Sequence, residues 1–169
     1  MKCKKCNTEV PASTKYCPNC GAQVIEENST VQFADMNTPW LEDTIRIVGY
    51  NVDHEKCNEQ EFRATKEGRV TIYISLKMNL KIITFNSYIP LKKLGRSERE
   101  AVLEILNMCN GKGTYCTFFA NLDNNILNIF SYLPVTDCIS KQDVLNVFEK
   151  FSDEMAATAV ATKLIDYVL

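Results

Sequence analysis

Two cysteine pairs, Cys3-x2-Cys6 and Cys17-x2-Cys20, stand ten residues apart at the start of the chain, and nothing else in it restricts local folding so strongly. Hooks at this spacing converge four thiolates on one tetrahedral ion, and zinc accepts such a closed sulfur shell. The residue after the second cysteine of each hook needs a left-handed backbone, which Asn7 and Gly21 tolerate. Pro18 sets one turn dihedral of the second hook in advance. Cys3, Cys6, Cys17 and Cys20 are therefore the metal ligands, with one structural Zn2+ as the expected occupant and iron in a rubredoxin-like sulfur site as its competitor. A closed shell leaves no position for water or substrate, which argues against Lewis-acid catalysis at this ion. A redox dithiol is disfavoured because Cys-x-x-Cys of that kind opens a helix in a βαβ setting, which this stretch lacks.

The run from Cys-Lys-Lys-Cys to Cys-Pro-Asn-Cys-Gly resembles the short zinc-ribbon modules at the front of many bacterial and archaeal proteins, over residues 1–24. Four thiolates on Zn2+ carry a formal charge near −2, which Lys2, Lys4, Lys5 and Lys15 partly offset. The same lysines offer a nucleic-acid contact. Residues 1–30 hold four Lys against three Glu, too small an excess to favour that reading.

Cys57, Cys109, Cys116 and Cys138 are scattered, unlike a secreted disulfide framework, and are expected to be reduced. There is no apolar run long enough to cross a bilayer and no signal-peptide stretch after Met1, so no membrane association and a cytoplasmic location are expected. Of 169 residues, 46% are hydrophobic and 24% charged, with a net charge of −2. That balance supports one main core built without disulfides.

Residues 25–37 are polar and lack apolar periodicity, and read as a linker. Residues 38–169 read as one α+β domain. Thr38-Pro39 offers an N-cap and a helix start, with Leu41, Ile45 and Val48 as its apolar stripe. Glu61–Thr65 is a first strand. Ile72, Ile74 and Leu76 alternate with polar neighbours in a second, and Leu80–Ile89 forms a third before Pro90. Ser97-x-x-Glu100 reads as a capping box for a helix over 98–110 that ends at Gly111. Tyr115–Leu122 and Ile126–Leu133 read as a hairpin, and Ser140 with Asp143 caps a long last helix. The order α-βββ-α-ββ-α suits helices flanking a mostly antiparallel sheet.

With that element order, and with Leu106-Asn107-Met108-Cys109-Asn110 similar to a Leu-Asn-x-x-Asn motif at the end of a middle helix, residues 38–166 resemble the YbjN-like family. The resemblance implies the fold of type III secretion chaperones, and with it a chaperone-like role. The zinc module and the glycine-rich Gly111-Lys112-Gly113 junction depart from that family.

No phosphate loop, nucleophile elbow or metalloprotease motif occurs, so the chain is not expected to be an enzyme. His54 and Cys57, three residues apart in a polar stretch, read better as solvated side chains than as a catalytic pair. Asn107 and Asn110 read as helix-end caps. Tyr115, Phe118, Phe119, Phe130 and Tyr132 suit core packing plus an interface better than base stacking, because Lys112 is the one cation between Asn107 and Ile139. Trp40 reads as a core anchor of the first helix. The functional expectation is a non-enzymatic, chaperone-like or adaptor protein that binds another polypeptide. Homodimerisation is expected through the alanines at 156, 157, 159 and 161 of the last helix. The alternative is a regulator whose ribbon touches nucleic acid.

Overall fold

The computed structural model describes residues 3, 5–10, 16–22, 30–54, 57–58, 60–113 and 115–169. Helices α1 (Thr38–Arg46), α2 (Arg96–Lys112) and α3 (Lys141–Ala161) accompany eight strands: β1 (Thr30–Gln32), β2 (Asn51–Asp53), β3 (Glu61–Thr65), β4 (Ile72–Lys77), β5 (Ile82–Pro90), β6 (Thr117–Asn121), β7 (Ile126–Pro134) and β8 (Cys138–Ser140). Six strands form one antiparallel sheet in the order β2-β3-β4-β5-β7-β6, and β1 pairs with β8 in a separate ribbon.

Each expected strand is present, and β1, β2 and β8 are added to them. All three additions have three residues, too few for a period of two to register. Part of the segment read as linker is thus ordered: Thr30–Gln32 pairs with residues 138–140, a 3-10 turn covers Phe33–Asp35, and Phe33 and Met36 are buried. Residues 25–29 lie outside the described set.

The helix starts differ from the sequence reading in two places. Asn37, one residue before Thr38, caps α1, its Oδ1 accepting the Trp40 N–H at 3.0 Å. For α2 the residue at the N-cap is Gly95, whose N–H donates to Glu98 Oε2 at 2.7 Å. Glu100 instead approaches Arg96 at 3.7 Å one turn away, an exposed pair. The helix also runs through Gly111, ending where the Gly113 N–H donates to the Cys109 carbonyl. For α3 the expected cap holds: Ser140 Oγ accepts the Asp143 N–H, and Asp143 Oδ2 accepts the Ser140 N–H. The Ser140 hydroxyl also lowers the Asp143 carboxyl below its ordinary value.

Alternation along the strands sends Phe62, Ile74, Ile83, Phe85, Phe118 and Ile129 to one face, all buried. Leu41 and Ile45 of α1 and Phe148, Phe151 and Met155 of α3 close that side of the core. Phe148 sits at the centre, its ring 4.8 Å edge-on from Tyr50 and 6.0 Å from Phe85. Trp40 is half-buried against this core, with Lys141 Nζ 6.0 Å from its ring. Helix α2 lies along β6 and buries Val102, Leu106 and Cys109.

Candidate functional site

The N-terminal hooks are built alike. In the first, the Asn7 N–H donates to the Cys3 carbonyl at 2.8 Å and the Cys3 N–H to the Thr8 carbonyl at 2.9 Å. In the second, Gly21 N–H donates to Cys17 and Cys17 N–H to Ala22, at 2.8 and 2.7 Å. Asn7 and Gly21 have φ of 59° and 66°, the left-handed turns that each hook requires. The Asn19 amide donates to Thr8 Oγ1 at 3.0 Å and ties the hooks together.

This brings the four sulfurs within 4.8 Å of one another, with Cys3···Cys20 at 3.6 Å and Cys6···Cys17 at 3.4 Å. A tetrahedron with Zn–S bonds near 2.3 Å has edges of about 3.8 Å, so the cluster suits one structural zinc ion. Thr8 Oγ1 lies 3.2 Å from Cys6 Sγ. The Thr8 hydroxyl and backbone lower the Cys6 thiol to about 5. Cys20 is raised to about 12: the Ala22 backbone stabilises its thiolate, but the neighbouring sulfurs and burial outweigh it. Cys3, Cys17 and Val10 are buried and form all of this unit's apolar core among the described residues. So small a core leaves the metal as the main source of folding energy, on the order of 10 kcal/mol.

The second candidate site is the outer face of the six-stranded sheet. Register places Tyr73, Asn86, Phe130 and Thr117 in one row across four strands, and Tyr88, Asn128 and Phe119 in the next. Ser75, Thr84 and Tyr132 form a third row. Tyr88, Phe119, Phe130 and Tyr132 are 51%, 51%, 37% and 59% exposed, whereas Phe118, one residue from Phe119, is 1% exposed. Tyr88 packs edge-on against Tyr73 at 5.3 Å. No helix covers this face, and Ser75 is its one buried side chain among the described residues. Of the five aromatics singled out in sequence, Phe119, Phe130 and Tyr132 meet here, while Phe118 points into the core and Tyr115 packs under Lys150. Tyr73 and Tyr88 join this face as well, and the signal for them in the sequence is their outward parity on β4 and β5.

The asparagine motif divides. Asn107 is exposed on α2. Asn110 does not cap the helix: its Oδ1 accepts the Phe118 N–H at 2.7 Å and its Nδ2 donates to the Phe118 carbonyl at 2.9 Å. One amide side chain thus satisfies the outer edge of β6 and binds that strand to α2. Asn110→Leu should destabilise the protein by about 1–3 kcal/mol, because both Phe118 groups lose their partner together. Urea unfolding checks this, and a midpoint equal to the wild type would mean that the clamp carries no stability.

His54 Nε2 meets Glu42 Oε1 at 3.0 Å on the surface. The Cys57 thiol is pushed up by burial and then by the Glu61 and Asp53 carboxylates, the opposite of an activated nucleophile.

Comparison with known proteins follows the same division. Residues 2–24 match the zinc-ribbon domain family. The chain also superposes on the crystal structure of YbjN from E. coli, described as a candidate transcription regulator, with a TM-score of 0.63. The larger unit has a YbjN-like fold. The match covers 79% of this chain and 96% of YbjN at 13% identity, so the YbjN-like likeness is one of architecture. No curated protein matches the sequence. No helix among the described residues is long and apolar enough to cross a membrane.

Proposed function

We propose that this chain is a non-enzymatic, cytoplasmic adaptor or chaperone-like protein that binds another polypeptide through the outer face of its YbjN-like sheet, with the zinc ribbon as a metal-stabilised accessory. The observation that carries the reading is the group of exposed aromatic rings on adjacent strands of one uncovered face. Large exposed apolar patches on soluble domains mark interaction sites, and aromatic residues dominate binding energy at protein interfaces. Amide and hydroxyl side chains interleave with the rings, so that a partner's polar groups find donors and acceptors. In this reading the protein acts as a pair of copies, with exposed Ala156, Ala157 and Ala161 of α3 at the contact. A monomer by sedimentation at micromolar concentration would remove the pairing.

A second reading, a nucleic-acid-associated regulator, draws on the description of YbjN and on the capacity of exposed rings to stack bases. The acidic balance of the chain weighs against a broad phosphate-binding surface.

The test compares the full-length, zinc-loaded protein with its Tyr88→Ser/Phe130→Ser double variant, both used to retrieve partners from nuclease-treated native lysate. A polypeptide retained by the wild type and weakened about tenfold or more in the variant, about 1.4 kcal/mol, supports the proposal. Equal recovery by both sinks it. Low-salt binding of single-stranded nucleic acid that the double variant abolishes would put the regulator first.

A further inference from the structure

The edge of β7 is left open along part of its length. Strand β6 pairs with β7 from Asn121↔Ile126 to Thr117↔Phe130 and stops, while β7 continues to Pro134. On its other side β7 is paired with β5 throughout. The Val135 N–H donates to the Lys81 carbonyl and the Leu91 N–H to the Asn125 carbonyl, which fixes the parity of that ladder. Odd-numbered residues of β7 therefore bond to β5, and even-numbered ones turn their backbone groups towards the β6 side. The N–H and C=O of Tyr132 and the C=O of Pro134 face that side with no strand beside them among the described residues.

The cause lies on α3. Continuing the β6 register would set Tyr115 opposite Tyr132, but Glu154 Oε1 accepts the N–H groups of Tyr115 and Cys116 at 2.9 and 3.1 Å. That carboxylate draws the chain off β7. The detour is tight at Gly113, where a Cβ would lie 2.8 Å from the Cys116 carbonyl oxygen and 3.0 Å from Glu154 Oε1. Between the diverted chain and β7 lies a cavity of about 560 Å³, lined by Leu133, Val147, Cys116, Tyr115 and Ser131 among others. None of its lining residues carries an Asp, Glu, Lys, Arg or His side chain.

We propose that this gap receives an extended, uncharged segment of a partner polypeptide, which pairs with Tyr132 as a short added strand in line with β6. The proposal rests on the polypeptide-binding reading above and says how the partner's backbone is held. A residue opposite Tyr132 makes two hydrogen bonds, and the Pro134 carbonyl accepts a third. Its side chain joins the aromatic face beside Phe130, while those of its neighbours enter the cavity against Leu133 and Val147. Pro134 removes the next donor and limits the added strand to a few residues. The lining itself is uncharged and the nearest carboxylate, Glu154, is already engaged by the Tyr115 and Cys116 amides, so a neutral segment fits better than an anion, which would face that carboxylate.

The experiment measures amide hydrogen exchange in full-length, zinc-loaded, 15N-labelled protein with a synthetic probe, an acetylated hexapeptide of alternating threonine and valine with an amidated C-terminus. Saturating peptide should slow exchange of the Tyr132 amide about tenfold or more. The same peptide N-methylated at alternate residues, in each of the two phases, should lose this protection in the phase that removes the paired donor. An unchanged Tyr132 rate, or equal protection by both N-methylated forms, overturns the proposal. If the peptide perturbs Tyr88, Phe119 and Phe130 and leaves Tyr132 alone, the edge pairing fails and the open-face reading stands. If Tyr132 is protected while the Tyr88→Ser/Phe130→Ser variant keeps its lysate partner, the edge stands and the open face fails.

Discussion

Replacing Cys17 with serine should release the metal and unfold the N-terminal ribbon while residues 30–169 keep their structure. Among the described residues the ribbon buries three, Cys3, Val10 and Cys17, with Cys6, Cys20 and Ala22 partly buried against them, and all but Val10 and Ala22 are themselves ligands. Burying so little surface cannot offset the ordering of about twenty residues, at roughly 1–2 kcal/mol each for the backbone alone. The metal supplies the difference, on the order of 10 kcal/mol, and a three-sulfur site forfeits much of it. Among the described residues, the main core contains none of the ribbon's. The expected result is loss of bound zinc by elemental analysis and loss of exchange protection at the Asn7 and Gly21 amides, which close the two hooks. Amides of β5 and β7 should exchange as before. Protected Asn7 and Gly21 amides in metal-free Cys17→Ser protein would show that the ribbon folds on its own. Acid should act in the same direction as the substitution, since zinc binding requires thiolates and protons compete for them as pH falls.

Phe148→Ala should cost about 3–5 kcal/mol, the range for deleting a buried aromatic ring. Phe148 is fully buried between α3 and the sheet, in contact with Tyr50 and Phe85. Tyr50 is held from its other end, its hydroxyl 3.0 Å from Ser152 Oγ on the same helix. Neither neighbour can follow the truncated side chain without breaking that bond or shifting β5, so a void remains. Phe119→Ala, on the outer face, should change stability by no more than about 0.5 kcal/mol. Chemical denaturation of the two variants checks both values, and similar losses from the two would contradict the assignment of the faces.

Parts of this architecture were legible without coordinates because the signals are local. Hook spacing, the left-handed positions Asn7 and Gly21, the alternation in β4 and the Ser140 cap each involve residues a few positions apart. Helix ends are less legible. Ser97 and Glu100 match the capping pattern, but the helix begins two residues earlier at Gly95, which has no side chain to cap with and is held only through its N–H to Glu98, half of a capping box that the pattern does not mark. Of the four alanines of α3 expected at a contact between copies, Ala159 is buried in the core, while Ala156, Ala157 and Ala161 are exposed. The short strands β1 and β8 gain their identity only from each other, about 108 residues apart.

The amino-acid sequence by itself determined the metal ligands' spacing, the identity of the main strands and helices, and the parity of the aromatic side chains along each strand. Tertiary structure alone decided that β5 lies beside β7, which assembles rings from four strands into one face. It likewise decided that Asn110 clamps β6 and that Glu154 draws residues 115 and 116 away from β7. The physical reason is range. A turn or an alternation is settled by sterics within a few residues, whereas these contacts join groups brought together only when a whole core closes, and no single segment encodes that closure.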